Sequence, residues 1–169
     1  FLDNWFTKNI REEIDYTFNL INNLKNTKNK KLISIILSRT LHSCRATTHF
    51  DLSNLKTPKF STYYCHKHQK ICKPVFSTKN MFAKYADDTL ERLKAFGQLR
   101  TTAKHTIIYA DSRSVDVGRE VARKNKNLFK LLTKQKIRGI FTSPPYVGQI
   151  DYHEEHAYAY DLLDLPRND

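Results

Sequence analysis

Two short stretches decide the fold, residues 105–112, HTIIYADS, and residues 137–146, IRGIFTSPPY. Each opens on an apolar run too short for a helix and closes on small or polar residues, as a buried strand does. Between them, Asp116–Gln135 carries helical spacing. A strand, a helix and a strand with a connection of this size predict a right-handed β-α-β crossover in a parallel sheet. Ligands of such sheets bind outside the carboxyl ends of the strands. Two segments meet that rule: Asp111-Ser112-Arg113 after the first strand, and Thr142-Ser143-Pro144-Pro145-Tyr146 after the second. Consecutive prolines fix two φ angles and remove two N–H donors, so the carbonyls of that turn point outward from a stiff frame. Acceptors followed by an aromatic ring make a seat for a flat ligand bearing an amino group. A strand-ending turn whose Tyr merely packs is the plainer alternative.

Upstream of residue 104 the texture is helical. Ile10, Ile14, Phe18, Ile21 and Leu24 recur at helical spacing, which predicts a helix over 9–25 capped by Asn9 with Glu12. A second helix is expected over 31–44 and a third over 78–96. Ser77 caps the third, and Met81, Phe82, Tyr85, Leu90 and Leu93 form its apolar stripe. Between the second and third helices lies an irregular stretch, 45–74, that holds most of the His and Cys. A loop of that length in a compact domain is functional or needs a staple. The last segment, 151–163, reads as helical, with Tyr152, His156 and Tyr160 on one face for packing. The chain thus divides into a helical region, 1–103, whose Cys/His-rich loop could be a DNA-recognition insert, and an α/β region, 104–169.

Composition narrows the classes. The chain has 169 residues, of which 40% are hydrophobic, enough for a packed core. No run approaches the length that spans a bilayer, so no membrane partner is expected. The opening FLDNWF shows no basic or apolar leader, and a first residue of Phe suggests that sequence upstream is missing. Three cysteines do not make a disulfide framework, and a reducing, cytoplasmic compartment suits them. A formal charge of +12 favours an acidic partner, most simply nucleic acid. Only four glycines occur, Gly97, Gly118, Gly139 and Gly148, and none forms a G-x-G, so neither a dinucleotide loop nor a P-loop is present.

TSPPY at a strand end resembles motif IV of the prokaryotic DNA amino-methyltransferases, which move a methyl group from S-adenosylmethionine to an exocyclic base amine. IIYADSR resembles their motif III. SCRATTHFDL, YYCHKHQKICKPV and YVGQIDYHEEHAYAYDL extend the likeness over most of the chain as an internal segment of such enzymes. The resemblance implies a partial Rossmann-like methyltransferase sheet, double-stranded DNA as partner, and cytosine N4 ahead of adenine N6 as the target. It assigns Ser143 and the Pro144 carbonyl as acceptors for the amine protons, Pro145 as the holder of the turn, and Tyr146 as a stacking platform for a flipped base. Asp111 and Ser112 would face S-adenosylmethionine, although a strand-end Asp is equally a turn former. The family's Phe-x-Gly-x-Gly cofactor loop has no counterpart here. The resemblance therefore implies an incomplete fragment, inactive alone, completed by the missing N-terminal part or by a complementary subunit.

Cys65, His68 and Cys72, with Cys44 some twenty residues before them and His49 and His66 nearby, suggest a structural zinc. Cys44, Cys65, His68 and Cys72 form the neatest ligand set, the plainer alternative being that Cys44 ends a helix as a buried thiol and the others are scattered surface residues. A zinc deaminase is disfavoured, because His153-x-Glu155 is followed by no P-C-x-x-C. Arg119, Arg123, Lys126, Lys130 and Lys134 make a cationic stripe that suits phosphates or, more simply, a solvated helix face. Basic residues between Lys56 and Lys73 are equal candidates for contacting DNA. The rival to a methyltransferase segment is a non-catalytic, zinc-stapled nucleic-acid-binding module with a structural Pro-Pro-Tyr. A degenerate interaction subunit is a third possibility.

Overall fold

The computed structural model describes residues 1–49, 51, 57–74, 77–135, 137, 139–143 and 152–166. In chain order the described elements are α1 (Leu2–Trp5), α2 (Lys8–Asn22), α3 (Thr27–Cys44), β1 (Tyr63–Cys65), β2 (Lys70–Cys72), α4 (Thr78–Leu99), α5 (Val117–Lys124), α6 (Lys126–Lys134), α7 (Tyr152–Glu155) and α8 (Ala157–Leu163). They divide into two compact units, one of residues 1–96 with 146–169 and the other of residues 97–145. Among the described residues no helix is long and apolar enough to cross a membrane.

The first unit is built on α2 and α3, neighbours because so short a connection joins them. Ile10, Ile14 and Ile21 of α2 meet Leu37, Leu41 and Cys44 of α3, and Tyr158 and Leu162 of α8 close the core. Helix α3 starts at Thr27 because the Asn26 side chain accepts from the N–H groups of Lys28 and Asn29, both at 3.0 Å. The expected Asn9 cap of α2 is not formed; Thr7 takes the N-cap position without a side-chain bond, and Asn9 lies inside the helix. Helix α4 is tied down at its start. The Thr78 N–H donates to the Glu13 carboxylate at 2.8 Å, and the Ser77 hydroxyl accepts from the Asn80 N–H at 3.4 Å. Farther along, the Arg39 guanidinium donates to Asp88 at 2.7 Å and to Thr89 at 2.9 Å, and lies 4.6 Å over the Tyr85 ring. Met81 and Phe82 pack on the core, whereas Leu90 and Leu93 of the expected stripe are exposed.

The carboxyl-terminal helix departs from its sequence pattern. It breaks at His156, which caps α8, so the buried residues are Ala157, Tyr158 and Leu162 rather than a face through His156 and Tyr160. Helix α8 packs on α3, within the first unit.

In the second unit the expected parallel strands do not pair among the described residues. Among the described residues the one sheet is the antiparallel pair β1–β2, and neither 105–110 nor 139–143 is a paired strand. Their apolar side chains face solvent: Tyr109 is 97% exposed and Phe141 98%. A strand cannot satisfy its own backbone and needs a neighbour on each edge. Here helix side chains take some of those carbonyls, with Lys124 donating to Ile107 at 2.9 Å and Asn125 to His105 at 3.2 Å. The helix expected over 116–135 is two helices, parted at Asn125 (φ −149°, ψ 84°). Asp116 and Asn125 cap them, accepting from the N–H groups of Arg119 and Leu128 at 3.0 Å. The break divides the cationic stripe between Arg119 and Arg123 on one helix and Lys126, Lys130 and Lys134 on the next, with Arg123 engaged by Glu120 at 2.7 Å.

Candidate functional site

Two places bear chemistry. The first is the β1–β2 hairpin, whose register pairs Tyr63 with Cys72, Tyr64 with Ile71 and Cys65 with Lys70. Strand alternation turns Tyr63, Cys65 and Cys72 to one face and Tyr64 and Ile71 to the other. Cys65 and Cys72 are buried; Tyr64 and Ile71 are exposed. The four-residue loop 66–69 folds back because the His68 N–H donates to the Cys65 carbonyl at 3.2 Å and Gln69 takes a left-handed φ of 50°. That turn carries the His68 ring over the thiols, with Nδ1 at 3.7 Å from Cys65 Sγ and 3.6 Å from Cys72 Sγ.

A fourth group arrives from the segment after α3. The His49 N–H donates to the Tyr63 hydroxyl at 2.9 Å, and the His49 ring stands edge-on to both Tyr63 and His68. Its Nδ1 lies 3.5 Å from Cys65 Sγ. Burial, then the neighbouring His68 and Lys67 charges, hold the His49 imidazole below its ordinary pKa. One ligand atom from each of His49, Cys65, His68 and Cys72 lies within 4.8 Å of all the others.

Cys44, the fourth ligand expected from spacing, lies outside this cluster. It is the last residue of α3 and stands on that helix's buried stripe with Leu37 and Leu41. Burial, then the Glu13 carboxylate, pushes its thiol up to about 12. The structure brings Cys65, His68 and Cys72 together as expected and puts His49 in the place given to Cys44. His66 turns outward against Tyr64.

Beside the hairpin opens a cleft of about 330 Å³ lined by Thr48, Asp51, Lys59, Tyr63, Tyr64 and Lys67, among others. Arg45 is a buried cation that sequence reasoning did not single out. Its guanidinium sits 5.1 Å over the Tyr158 ring and donates to the His42 carbonyl at 3.1 Å. Of the sequence signals, only its place directly after the buried Cys44 could have marked it.

The second place is the strand-end pair of segments. Asp111 accepts from the Arg113 N–H at 2.9 Å and from the Arg113 guanidinium at 2.7 Å, and these bonds hold its carboxyl below the usual range. That is the geometry of a turn former, with the carboxylate taken up by its own neighbour. Ser112 and Ser143 are exposed. Pro144, Pro145 and Tyr146 lie outside the described residues.

Comparison with known proteins bears out the resemblance to methyltransferases. The chain is 49% identical, over all 169 of its residues, to the Type II methyltransferase M.MjaII of Methanocaldococcus jannaschii. It spans 32% of the length of that curated relative. No family model and no solved structure matches the chain.

Proposed function

We propose that this chain is the part of a site-specific DNA methyltransferase that seats the target base, within an enzyme moving a methyl group from S-adenosylmethionine to an exocyclic amine. The observation that carries the reading is the 49% identity with a Type II methyltransferase over the whole chain. Residues 104–169 supply part of the methyltransferase core in this reading, and cytosine N4 is the preferred target over adenine N6.

The chemistry follows from the amine. Its lone pair is conjugated into the ring, so it is a poor nucleophile until its two protons are held and the nitrogen is pyramidalised. The Ser143 hydroxyl and the Pro144 carbonyl accept those protons, Pro145 keeps the turn stiff, and Tyr146 stacks on a base lifted out of the duplex. S-adenosylmethionine, when bound, supplies the electrophilic methyl group. Rate comes from positioning and from acceptors set in advance, without a strong general base. Asp111 and Ser112 serve the cofactor in this reading, and Asp111 must then exchange Arg113 for it. Lys59 and Lys67 beside the hairpin are the basic residues we assign to duplex phosphates, which makes affinity fall steeply with salt.

The test is methyl transfer to duplex DNA by the enzyme carrying this segment, read by nucleoside analysis. N4-methylcytosine is the expected product. Tyr146→Ala should remove a stacking contact of about 1–3 kcal/mol and lower kcat/KM by roughly one to two orders of magnitude. Activity indifferent to Tyr146→Ala would reject the seat, and N6-methyladenine as the product would reject the cytosine assignment.

A further inference from the structure

The hairpin that carries Cys65, His68 and Cys72 has almost no means of its own to fold. Its strands are three residues each, and one face, Tyr64 and Ile71, is exposed to solvent. A two-stranded hairpin of this kind is marginal in water without something to pack on. The segment 45–49 that passes over its other face is likewise irregular. Yet this is where two buried thiols and two imidazoles converge.

Three of their separations match the edges of a tetrahedral zinc site. Zinc bonds of about 2.3 Å to sulfur and 2.0–2.1 Å to nitrogen place S and N ligands roughly 3.5–3.6 Å apart at the tetrahedral angle. Three of the four sulfur–nitrogen separations are 3.5, 3.7 and 3.6 Å, and every pair of ligand atoms lies within 4.8 Å. We infer that His49, Cys65, His68 and Cys72 form a closed structural Zn²⁺ site that fastens the segment following α3 to the β1–β2 hairpin, with Cys44 outside it.

Two thiolates and two neutral imidazoles on a divalent cation leave no net charge, which suits a centre whose thiols are shielded from water. The order of the donors along the fold explains the staple. Cys65 and Cys72 belong to neighbouring strands but are offset in register, since Cys65 pairs with Lys70 and Tyr63 with Cys72. His68 comes from the turn that joins those strands, and His49 from a segment remote in sequence. A metal joining all four closes the long loop between α3 and α4 at one point. The Tyr63 hydroxyl, holding the His49 backbone at 2.9 Å, positions the remote ligand without touching the metal. With the inner face fixed this way, Tyr64 and Ile71 are held outward.

The test uses the chain purified under reducing conditions without added metal, then titrated with Zn²⁺ alone and, separately, with Co²⁺. One zinc per chain is expected, and cobalt should give the thiolate-to-metal charge-transfer band of a tetrahedral site with two sulfurs. His49→Ala should weaken zinc by more than the roughly 10–100-fold that loss of an outer partner costs, and His49→Cys should restore it. Cys44→Ala should keep the full stoichiometry and the cobalt spectrum even though its core packing suffers. Chelation should lower the melting temperature of the chain and not of His49→Ala. Zinc-free protein that binds no added zinc would overturn the site. So would His49→Ala binding zinc as tightly as the parent, or Cys44→Ala losing the metal while keeping its helical circular dichroism.

Discussion

The unit built on α2 and α3 and the unit of residues 97–145 contain the same kinds of apolar residue, with opposite fates. Leu37, Leu41 and Ile14 are fully buried, whereas Ile107, Tyr109, Ile140 and Phe141 stand in solvent. The difference lies in the secondary structure each stretch encodes. A helix satisfies its own backbone and needs only one stripe covered, which three helices do for one another here. A strand must borrow its hydrogen bonds from neighbours, and the two apolar runs of the second unit have none among the described residues. Their apolar side chains are those of a sheet interior without the sheet.

The largest expected contrast is in core truncation. Leu41→Ala, within the α2–α3–α8 core, should destabilise the chain by about 2–5 kcal/mol. Ile140→Ala should change stability by less than about 0.5 kcal/mol, because its side chain is 88% exposed. Thermal or urea melts of both variants measure this. Equal losses would mean that the second unit has a core of its own.

A smaller effect separates the units by pH. Burial, then Arg45 and His156, lowers His42 from 6.5 to about 4. Folding therefore favours its neutral form, and the unfolded chain binds the extra proton. This contribution is complete above pH 6.5 and is lost as pH falls toward 4. After allowance for solvent screening at this half-buried site, it amounts to at most about 2 kcal/mol. His42→Gln should flatten the melting-temperature profile across that window relative to the parent. An unchanged slope would place the acid sensitivity elsewhere.

The same contrast explains what could be read in the sequence. The helices expected over 31–44 and 78–96 form as Thr27–Cys44 and Thr78–Leu99, because a stripe such as Leu37, Leu41 and Cys44 carries its own period. That stripe also contains the clue to the place of Cys44, which shares a buried face with two core leucines. Spacing alone could not show this, since ligand motifs count residues and ignore which side of a helix they occupy. His49 gave no periodic signal; it reaches the thiols only through the Tyr63 hydroxyl and the fold of the hairpin. The apolar runs at 105–110 and 137–143 were legible as strand material, but pairing is a property of partners that a strand's own residues do not contain. The break of the cationic helix at Asn125 was legible in principle, since Asn is a good cap for a following helix.

Methyl transfer decides whether this chain holds the seat for the base and relies on residues elsewhere for the cofactor. Glycine lets backbone N–H groups approach a bound cofactor closely, and the chain has no G-x-G to do so. The 169-residue chain and the same chain supplied with a segment containing Phe-x-Gly-x-Gly, fused or separate, are each incubated with radiolabelled S-adenosylmethionine and duplex DNA. The account predicts no labelled DNA from the chain alone and labelled DNA from the combination, with the label lost in proportion when Tyr146 becomes Ala. Full activity of the chain by itself, or a combination that labels DNA equally well without Tyr146, would contradict it.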